Sequence, residues 1–363
     1  MTALINTKFE ASIQQMQQSV TFPSGTVKYL FQSSFEKFLQ TCDKQHTVLI
    51  TNEHIAKLYP RLFKEYKTIV IPPVESSKDV LTVETLAKEL LQIEATKKTI
   101  IIGIGGGVVT DITGFLGSVY MRGVSFGFVP TTLLGMVDAA IGGKNGVNIG
   151  MNKNILGTIS QPRFILFDTR FLHTLPDDEW SNGFAEIIKY ACIFDADMYA
   201  ELSRNTISYY KKKDDKALIK LIERCVEWKN KTVLEDEKEN GIRKLLNFGH
   251  TAAHAIENLY ELPHGKAVGI GMVIACMISE KLTGLDKTIA ENLKNLLSQY
   301  HLPVSFKIDA AKAMQLLRMD KKRIDDSIEY ILLERVGKAV VKPLPFDVIE
   351  NALSQYESDN RTW

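Results

Sequence analysis

The segment Asn247–His254 reads NFGHTAAH, and its two histidines, His250 and His254, stand four residues apart. On a helix that spacing puts both on one face. A third histidine, His264, follows in LPHGK, just ahead of an apolar helical run. Glu186 lies in GFAEIIKY, three residues before Lys189 and on the same helical face, among apolar neighbours. A buried carboxylate needs a partner, and a divalent cation is one. Two histidines and a glutamate would make a three-ligand zinc site with open positions, the arrangement catalytic zinc requires. The spacing by itself also fits ordinary helix histidines. The HExxH signature of zinc proteases is absent.

A second set of residues suits a dinucleotide. Thr99–Asp111 reads TIIIGIGGGVVTD, an apolar strand, a glycine turn over Gly103–Gly107 and the start of an apolar helix. Such a turn lets a diphosphate approach the backbone and the positive end of the helix. The GxGxxG pattern is not met, because its sixth position is Val108 counted from Gly103 and Thr110 counted from Gly105. Alone, the run also fits a tight strand–helix junction with no ligand. Asp111, in the first helical turn, would complement the helix dipole or contact a ribose. Val129–Gly143, VPTTLLGMVDAAIGG, makes another strand-to-helix turn, with Thr131 and Thr132 placed to bind a cofactor or to cap the helix. Gly150–Asn154, GMNKN, puts Lys153 and Asn154 side by side in an expected loop.

Basic residues lie near these motifs: Arg122, Lys144, Lys153, Lys189, Lys229, Arg243 and the pair Lys321-Lys322. Singly each reads as a surface charge; together they suit an anionic small substrate. Lysine ammonium groups suit phosphate, and arginine suits a planar carboxylate. The chain as a whole has 44 basic and 43 acidic residues. No global field therefore draws it to nucleic acid or an anionic membrane.

The elements that must position these residues follow from the apolar pattern. Strand-like runs at Thr47–Ile50, Thr68–Ile71, Thr99–Ile104, Phe126–Val129 and Phe164–Phe167 alternate with helical ones at Ile55–Tyr66 and Val80–Leu91. That alternation predicts a parallel sheet with helical crossovers. After about Pro176 helical periodicity dominates, through Trp180–Ile193, Lys216–Lys231, Thr251–Leu259, Val268–Leu282 and Ile289–Tyr300. The expected domains are an α/β cofactor-binding part, 1–172, and a mainly α-helical metal- and substrate-binding part, 173–363. Val268–Ser279 is too short to span a bilayer and reads as a buried helix. Cys42, Cys192, Cys225 and Cys276 form no CxxC pair, as expected of reduced thiols in a cytoplasmic protein. The first residues lack the apolar stretch of a signal peptide.

In this order the motifs resemble the 3-dehydroquinate synthase family of sugar phosphate cyclases. The matching stretches are GGGVVTD (Gly105–Asp111), YMRG (Tyr120–Gly123), VPTTLLGMVDAAIGGKNGVN (Val129–Asn148), Lys153-Asn154, FAEIIKY (Phe184–Tyr190), RKLLNFGHTAAHAIE (Arg243–Glu257), HGKAVGIGM (His264–Met272) and MDKK (Met319–Lys322). The resemblance implies a Rossmann-like parallel-sheet domain plus a mainly helical one, as in dehydroquinate synthase and glycerol dehydrogenase. It implies a catalytic Zn2+, with Co2+ able to replace it, on Glu186, His250 and His264, and leaves His254 as a substrate contact. NAD contacts would come from Glu75, Lys78, Gly107, Val108, Val109, Asp111, Thr131, Thr132, Lys144, Lys153, Phe171 and Thr174. A sugar phosphate would meet Lys144, Asn154, Asn247, His254 and Lys321 or its neighbour through its phosphate, with Arg122 reaching over from a second subunit of a homodimer. Lys229 and Arg243 would hold its carboxylate, and Asp138 and Lys189 its ring oxygens. The sequence departs from the family pattern at Thr110 and Ala253, usually glycines, at Asn145-Gly146, usually Thr-Ala, and at Lys266, usually glutamate. None of these removes an implied site residue.

The resemblance implies formation of 3-dehydroquinate from 3-deoxy-D-arabino-heptulosonate 7-phosphate, a step toward aromatic amino acids in the shikimate pathway. Two other enzymes fit parts of the pattern. A zinc-dependent polyol dehydrogenase of the same fold would release NADH, but a neutral polyol needs no Arg243, Lys229 or Asn247. Another sugar phosphate cyclase, acting on sedoheptulose 7-phosphate or glucose 6-phosphate, would meet no substrate carboxylate. A non-enzymatic cofactor-binding protein would have lost a metal ligand or substrate lysine, and none is lost.

Overall fold

The computed structural model describes residues 17–150, 152–212, 215–318, 323–324 and 327–360. They fall into two compact units. The first runs to Leu175 and also includes the helix Lys216–Glu235 and the chain to Lys238; the second takes the residues from Pro176 to 212 and those from Glu239 onward. Helical periodicity alone groups Lys216–Glu235 with the second part. In the structure, the buried Tyr29 hydroxyl donates to Asn230 Oδ1 at 2.6 Å, tying this helix to a strand of the first unit.

The first unit is a seven-stranded sheet. Its strands are β1 (Gln17–Phe22), β2 (Gly25–Leu30), β3 (Thr47–Asn52), β4 (Lys67–Ile71), β5 (Ile100–Gly105), β6 (Ser125–Pro130) and, after a separate hairpin, β9 (Phe164–Leu166), in the order β1-β2-β9-β6-β5-β3-β4. All neighbours pair in parallel except β1 with β2. The isoleucines of β5 suit a strand covered on both faces. The chain runs from β3 outward to β4, then crosses to β5, β6 and β9 on the other side of β3. The carboxyl ends of β3 and β5 therefore form a topological switch point, where open parallel sheets bind ligands. The glycine turn leaves β5 there.

Three local differences from the sequence reading have plain causes. The expected helix Ile55–Tyr66 is two short ones, Glu53–Leu58 and Pro60–Phe63, because a residue before proline disfavours the helical conformation. The strand-to-helix turn is present, with β6 ending at Pro130, but the helical stretch that follows widens over Gly135–Ala139, where the Ala140 N–H donates to the Gly135 carbonyl at 3.2 Å. Lys153 and Asn154 sit in a strand, not a loop: β7 (Lys144–Ile149) and β8 (Asn152–Ile159) make an antiparallel hairpin.

The second unit is built around two long helices, Asp177–Phe194 and His264–Leu282, each buried along most of its length. It also carries an antiparallel sheet, β10 (Arg323–Ile324), β11 (Ser327–Arg335) and β12 (Lys338–Pro345), with Gly337 in the left-handed conformation between β11 and β12. The unit is mainly helical, as expected, but this hairpin was not. Among the described residues no helix is long and apolar enough to cross a membrane. Cys192, Cys225 and Cys276 are buried free thiols and Cys42 is half-buried.

Candidate active site

In the second unit three helices bring Glu186, His250 and His264 together. Glu186 projects from the Asp177–Phe194 helix and is fully buried. Four residues earlier on that helix, Asn182 accepts from the Gly265 N–H through Oδ1 at 3.1 Å. A Cβ at Gly265 would stand 2.6 Å from Asn182 Cα, so this contact needs glycine. It places His264, the first residue of the His264–Leu282 helix, beside Glu186. Gly249, left-handed at φ 78, starts the His250–Tyr260 helix. Its carbonyl lies 2.0 Å from where a Gly271 Cβ would be, so glycine at 271 lets the His250 helix lie against the His264 helix.

The result is a focused ligand set. Glu186 Oε1 faces His264 Nε2 at 3.2 Å and His250 Nε2 at 3.4 Å. Ligand atoms about 2.0–2.1 Å from a tetrahedral ion lie about 3.3 Å from one another. The three ligand atoms all lie within 4.8 Å of one another, and among the described residues this is the group that fits a metal ion. His254 stands outside it, its ring 5.7 Å from that of His250. Each ligand histidine has an acceptor at its other nitrogen: Phe248 carbonyl at 3.1 Å for His250, Glu257 Oε2 at 3.5 Å for His264.

Four ionisable side chains, Glu186, Lys189, His264 and Glu257, share charge in this cluster. Burial would raise the Glu186 carboxyl, but Lys189 and the two histidines hold it well below the usual carboxylate range. Lys189 pairs with its second oxygen, and both groups are buried. Burial, with Lys189 nearby, lowers His250. Burial also opposes a charge on His264, yet Glu186 and Glu257 outweigh it and raise the imidazole to about 10. A divalent cation bound by these three residues would take the place of the His264 proton.

In the first unit the candidate cofactor site is mostly main chain. Gly105 ends β5, Gly106 is extended, and the helix Gly107–Val119 begins with no side-chain cap. A Cβ at Gly105 would lie 2.4 Å from Val109 Cγ2, and one at Gly106 3.0 Å from Thr132 Cγ2. Val109 is buried, so only its backbone is available to a ligand at this turn. The Thr131 N–H donates to the Gly105 carbonyl at 2.9 Å, and Thr132 Oγ1 accepts from the Gly135 N–H at 3.0 Å. The Thr132 hydroxyl thus also caps its own turn.

Lys78, Asp111 and Asn154 meet at this turn. Lys78 Nζ pairs with Asp111 and donates to Asn154 Oδ1 at 2.6 Å. Burial raises the Asp111 carboxyl, and Lys78 offsets part of that. Asn148, which the motif reading passed over, donates to Glu75 Oε1 at 2.9 Å and accepts from the Asn154 N–H at 2.9 Å. It lies in the GVN run, a signal that was present but unassigned. Lys229 Nζ lies 2.9 Å from Asp138 Oδ1 and donates to the Asp138 carbonyl at 2.7 Å.

The remaining sequence candidates are placed as follows. Lys144 opens β7 and is exposed; Val108 is half-buried at the start of its helix. Phe171 is buried, and the Thr174 hydroxyl lies 2.8 Å from that of Tyr59. Arg243 is buried on the short turn Ile242–Asn247, where Asn247 donates to Glu239 at 2.7 Å. Arg122 is exposed and left-handed, after left-handed Met121. Lys321 lies outside the described residues. The family departures are absorbed locally: Thr110 Oγ1 bonds the Gly107 carbonyl at 3.1 Å, Asn145 bonds Gly143 and Ser160 carbonyls at 2.9 and 3.0 Å, and Lys266 faces Asp178 at 3.4 Å.

The family described as 3-dehydroquinate synthase N-terminal matches residues 68–182, and the one described as 3-dehydroquinate synthase C-terminal matches residues 183–323. The 3-dehydroquinate synthase of Campylobacter concisus is 40% identical over 294 residues, 80% of this chain and 84% of that one. That of Pyrococcus furiosus is 38% identical over 332 residues, 89% of this chain and 96% of that one. A solved 2-epi-5-epi-valiolone synthase from Streptomyces hygroscopicus subsp. jinggangensis, with NAD+ and Zn2+ bound, has a TM-score of 0.83 at 26% identity, over 95% of this chain and 99% of that one.

Proposed function

The chain belongs to the 3-dehydroquinate synthase family, and on that premise we propose that it is a carbon–oxygen lyase converting 3-deoxy-D-arabino-heptulosonate 7-phosphate to 3-dehydroquinate and phosphate. The observation that carries this over a polyol dehydrogenase is the match to 3-dehydroquinate synthases at 40% and 38% identity over most of the chain. Two buried cations, Lys229 beside Asp138 and Arg243, support a substrate that brings a carboxylate as well as a phosphate. Bound NAD supplies a reversible hydride acceptor for the C5 carbon, and zinc, or cobalt in its place, a Lewis acid for the C5 oxygen.

The chain's own groups hold and discharge the substrate. Phosphate is a poor leaving group from an unactivated carbon, but leaves readily beside a ketone whose neighbouring C–H is acidic. Lys144, Asn154, Asn247 and His254 bind the phosphate and stabilise charge as it departs; Lys321 or Lys322 adds to them. Lys229 and Arg243 hold the carboxylate. Asp138 and Lys189 orient the ring oxygens, and Lys189 also holds Glu186. The dinucleotide takes the Gly107–Asp111 turn, Thr131 and Thr132, with Glu75, Lys78, Lys144, Lys153, Phe171 and Thr174. With NAD bound to accept and give back the hydride, the same residues would hold the substrate through phosphate elimination, ring opening and the intramolecular aldol closure.

The enzyme works in the cytoplasm as a homodimer in which Arg122 serves the partner's substrate. Its exposed, left-handed backbone supports that reading, since strain of this kind collects at functional positions. So do Ile155 and Ile159, exposed on one face of the β7–β8 hairpin, where a second copy would cover them.

Phosphate release by the zinc- and NAD-loaded protein tests the substrate. Turnover is expected with the heptulosonate 7-phosphate and not with sedoheptulose 7-phosphate or glucose 6-phosphate, which lack the carboxylate. Equal turnover of all three would remove Lys229 and Arg243 from the role given them.

A further inference from the structure

We infer that Glu257 is a positioning residue that orients His264 toward the metal and sets how tightly the ion is held. The inference rests on the metal reading of Glu186, His250 and His264. It starts from an asymmetry between the two histidines. Both aim Nε2 at the same oxygen, Glu186 Oε1, at 3.4 and 3.2 Å. A histidine that ligates through Nε2 carries its proton on Nδ1, and that N–H needs an acceptor to fix the tautomer and the ring plane. For His250 the acceptor is the Phe248 carbonyl, 3.1 Å away and two residues back in the chain. Almost any side chain at 248 would supply it.

The acceptor for His264 is not local. Its Nδ1 faces Glu257 Oε2 at 3.5 Å, from a different helix. Glu257 is seven residues after His250, so the two share a face of the His250–Tyr260 helix. One helix therefore supplies one ligand and the holder of another. Glu257 is 12% exposed, a shielded position in which its charge is felt strongly, whereas the His264 ring is 30% exposed and less confined by packing. The Asn182–Gly265 contact fixes the His264 backbone, not the ring. Orientation of the ring falls to Glu257, and a carboxylate partner also strengthens Nε2 as a donor to the ion.

The test uses the full chain, stripped of metal and titrated with Zn2+ against a chromogenic chelator, in the wild type and in Glu257→Gln and Glu257→Ala. Glu257→Gln keeps the shape and removes the charge; it is expected to weaken Zn2+ about tenfold, and Glu257→Ala up to about a hundredfold. The visible absorption of the Co2+-loaded variants should shift, because the His264 ring turns in the ligand field, which a general loss of stability would not cause. NAD affinity should be unchanged, showing that each variant is folded. Wild-type Zn2+ affinity and cobalt spectrum in Glu257→Ala would overturn the inference. A wild type with no saturable Zn2+ site would overturn the metal reading beneath it.

Discussion

The first unit builds its candidate site from main chain, and the second builds its own from side chains. At the Gly105–Gly107 turn the available groups are N–H donors at an uncapped helix start, and the nearby charges of Lys78 and Asp111 pair with each other. At Glu186, His250 and His264 the backbone only delivers three side chains, whose ligand atoms converge within 4.8 Å of one another. A main-chain site depends on what is missing, namely Cβ atoms. A side-chain site depends on what is present. The two should therefore fail separately and to different substitutions.

The largest effect is expected at the metal cluster. Glu186→Gln takes a buried counter-charge from Lys189 and the anionic ligand from the ion. Turnover should fall about a thousandfold or more, while NAD affinity, read by fluorescence titration, stays within about twofold. Loss of NAD binding along with the metal would break the separation.

The reverse experiment is Gly105→Ala. Its Cβ would lie 2.4 and 2.6 Å from Val109 Cγ2 and Cβ, so the helix itself must move. The expected outcome is a stability loss of about 1–3 kcal/mol and clearly weaker NAD binding by calorimetry. Zn2+ affinity should be unaltered, and its loss would show the units to be coupled in a way this account lacks.

A smaller effect separates the units by pH in the metal-free protein. His264, held at about 10, is raised above its unfolded value of about 6.5. Its contribution is complete below pH 6.5 and lost as pH rises through 10. Glu186 is depressed, so its contribution is present above its unfolded value of about 4.3 and lost in acid. Asp111 in the first unit is raised by burial, with Lys78 offsetting part of it. Burial also raises the thiols of Cys42, Cys192 and Cys276, so above their unfolded value of about 8.5 both units weaken. Urea denaturation from pH 6 to 8 should therefore show the His264 part without metal and not with Zn2+, which excludes the proton from His264. A slope unchanged by Zn2+ would contradict this assignment.

Much of this contrast was legible in the chain. The all-apolar β5, the glycines after it and the alternation of strands with helices carried the parallel sheet, because a strand buried on both faces leaves that signature. Lys189 was visible three residues from Glu186. Lys229 was equally visible, among Ile222, Cys225 and Val226, which the helix Lys216–Glu235 also buries. What the chain hid were pairings between distant segments. Nothing local links Lys78 to Asn154, or His264 to Glu257, and the β11–β12 hairpin follows a long series of helical runs that masks it. Ligand identity in particular came from resemblance, since HxxxH spacing alone favours His254 as much as His264.

The dinucleotide is proposed as a recycled catalyst. The decisive measurement gives the zinc-loaded protein less NAD than heptulosonate phosphate and follows phosphate and NADH together. Many phosphates should be released per NAD, with no NADH accumulating. One NADH for each phosphate, or no phosphate at all, would contradict that role.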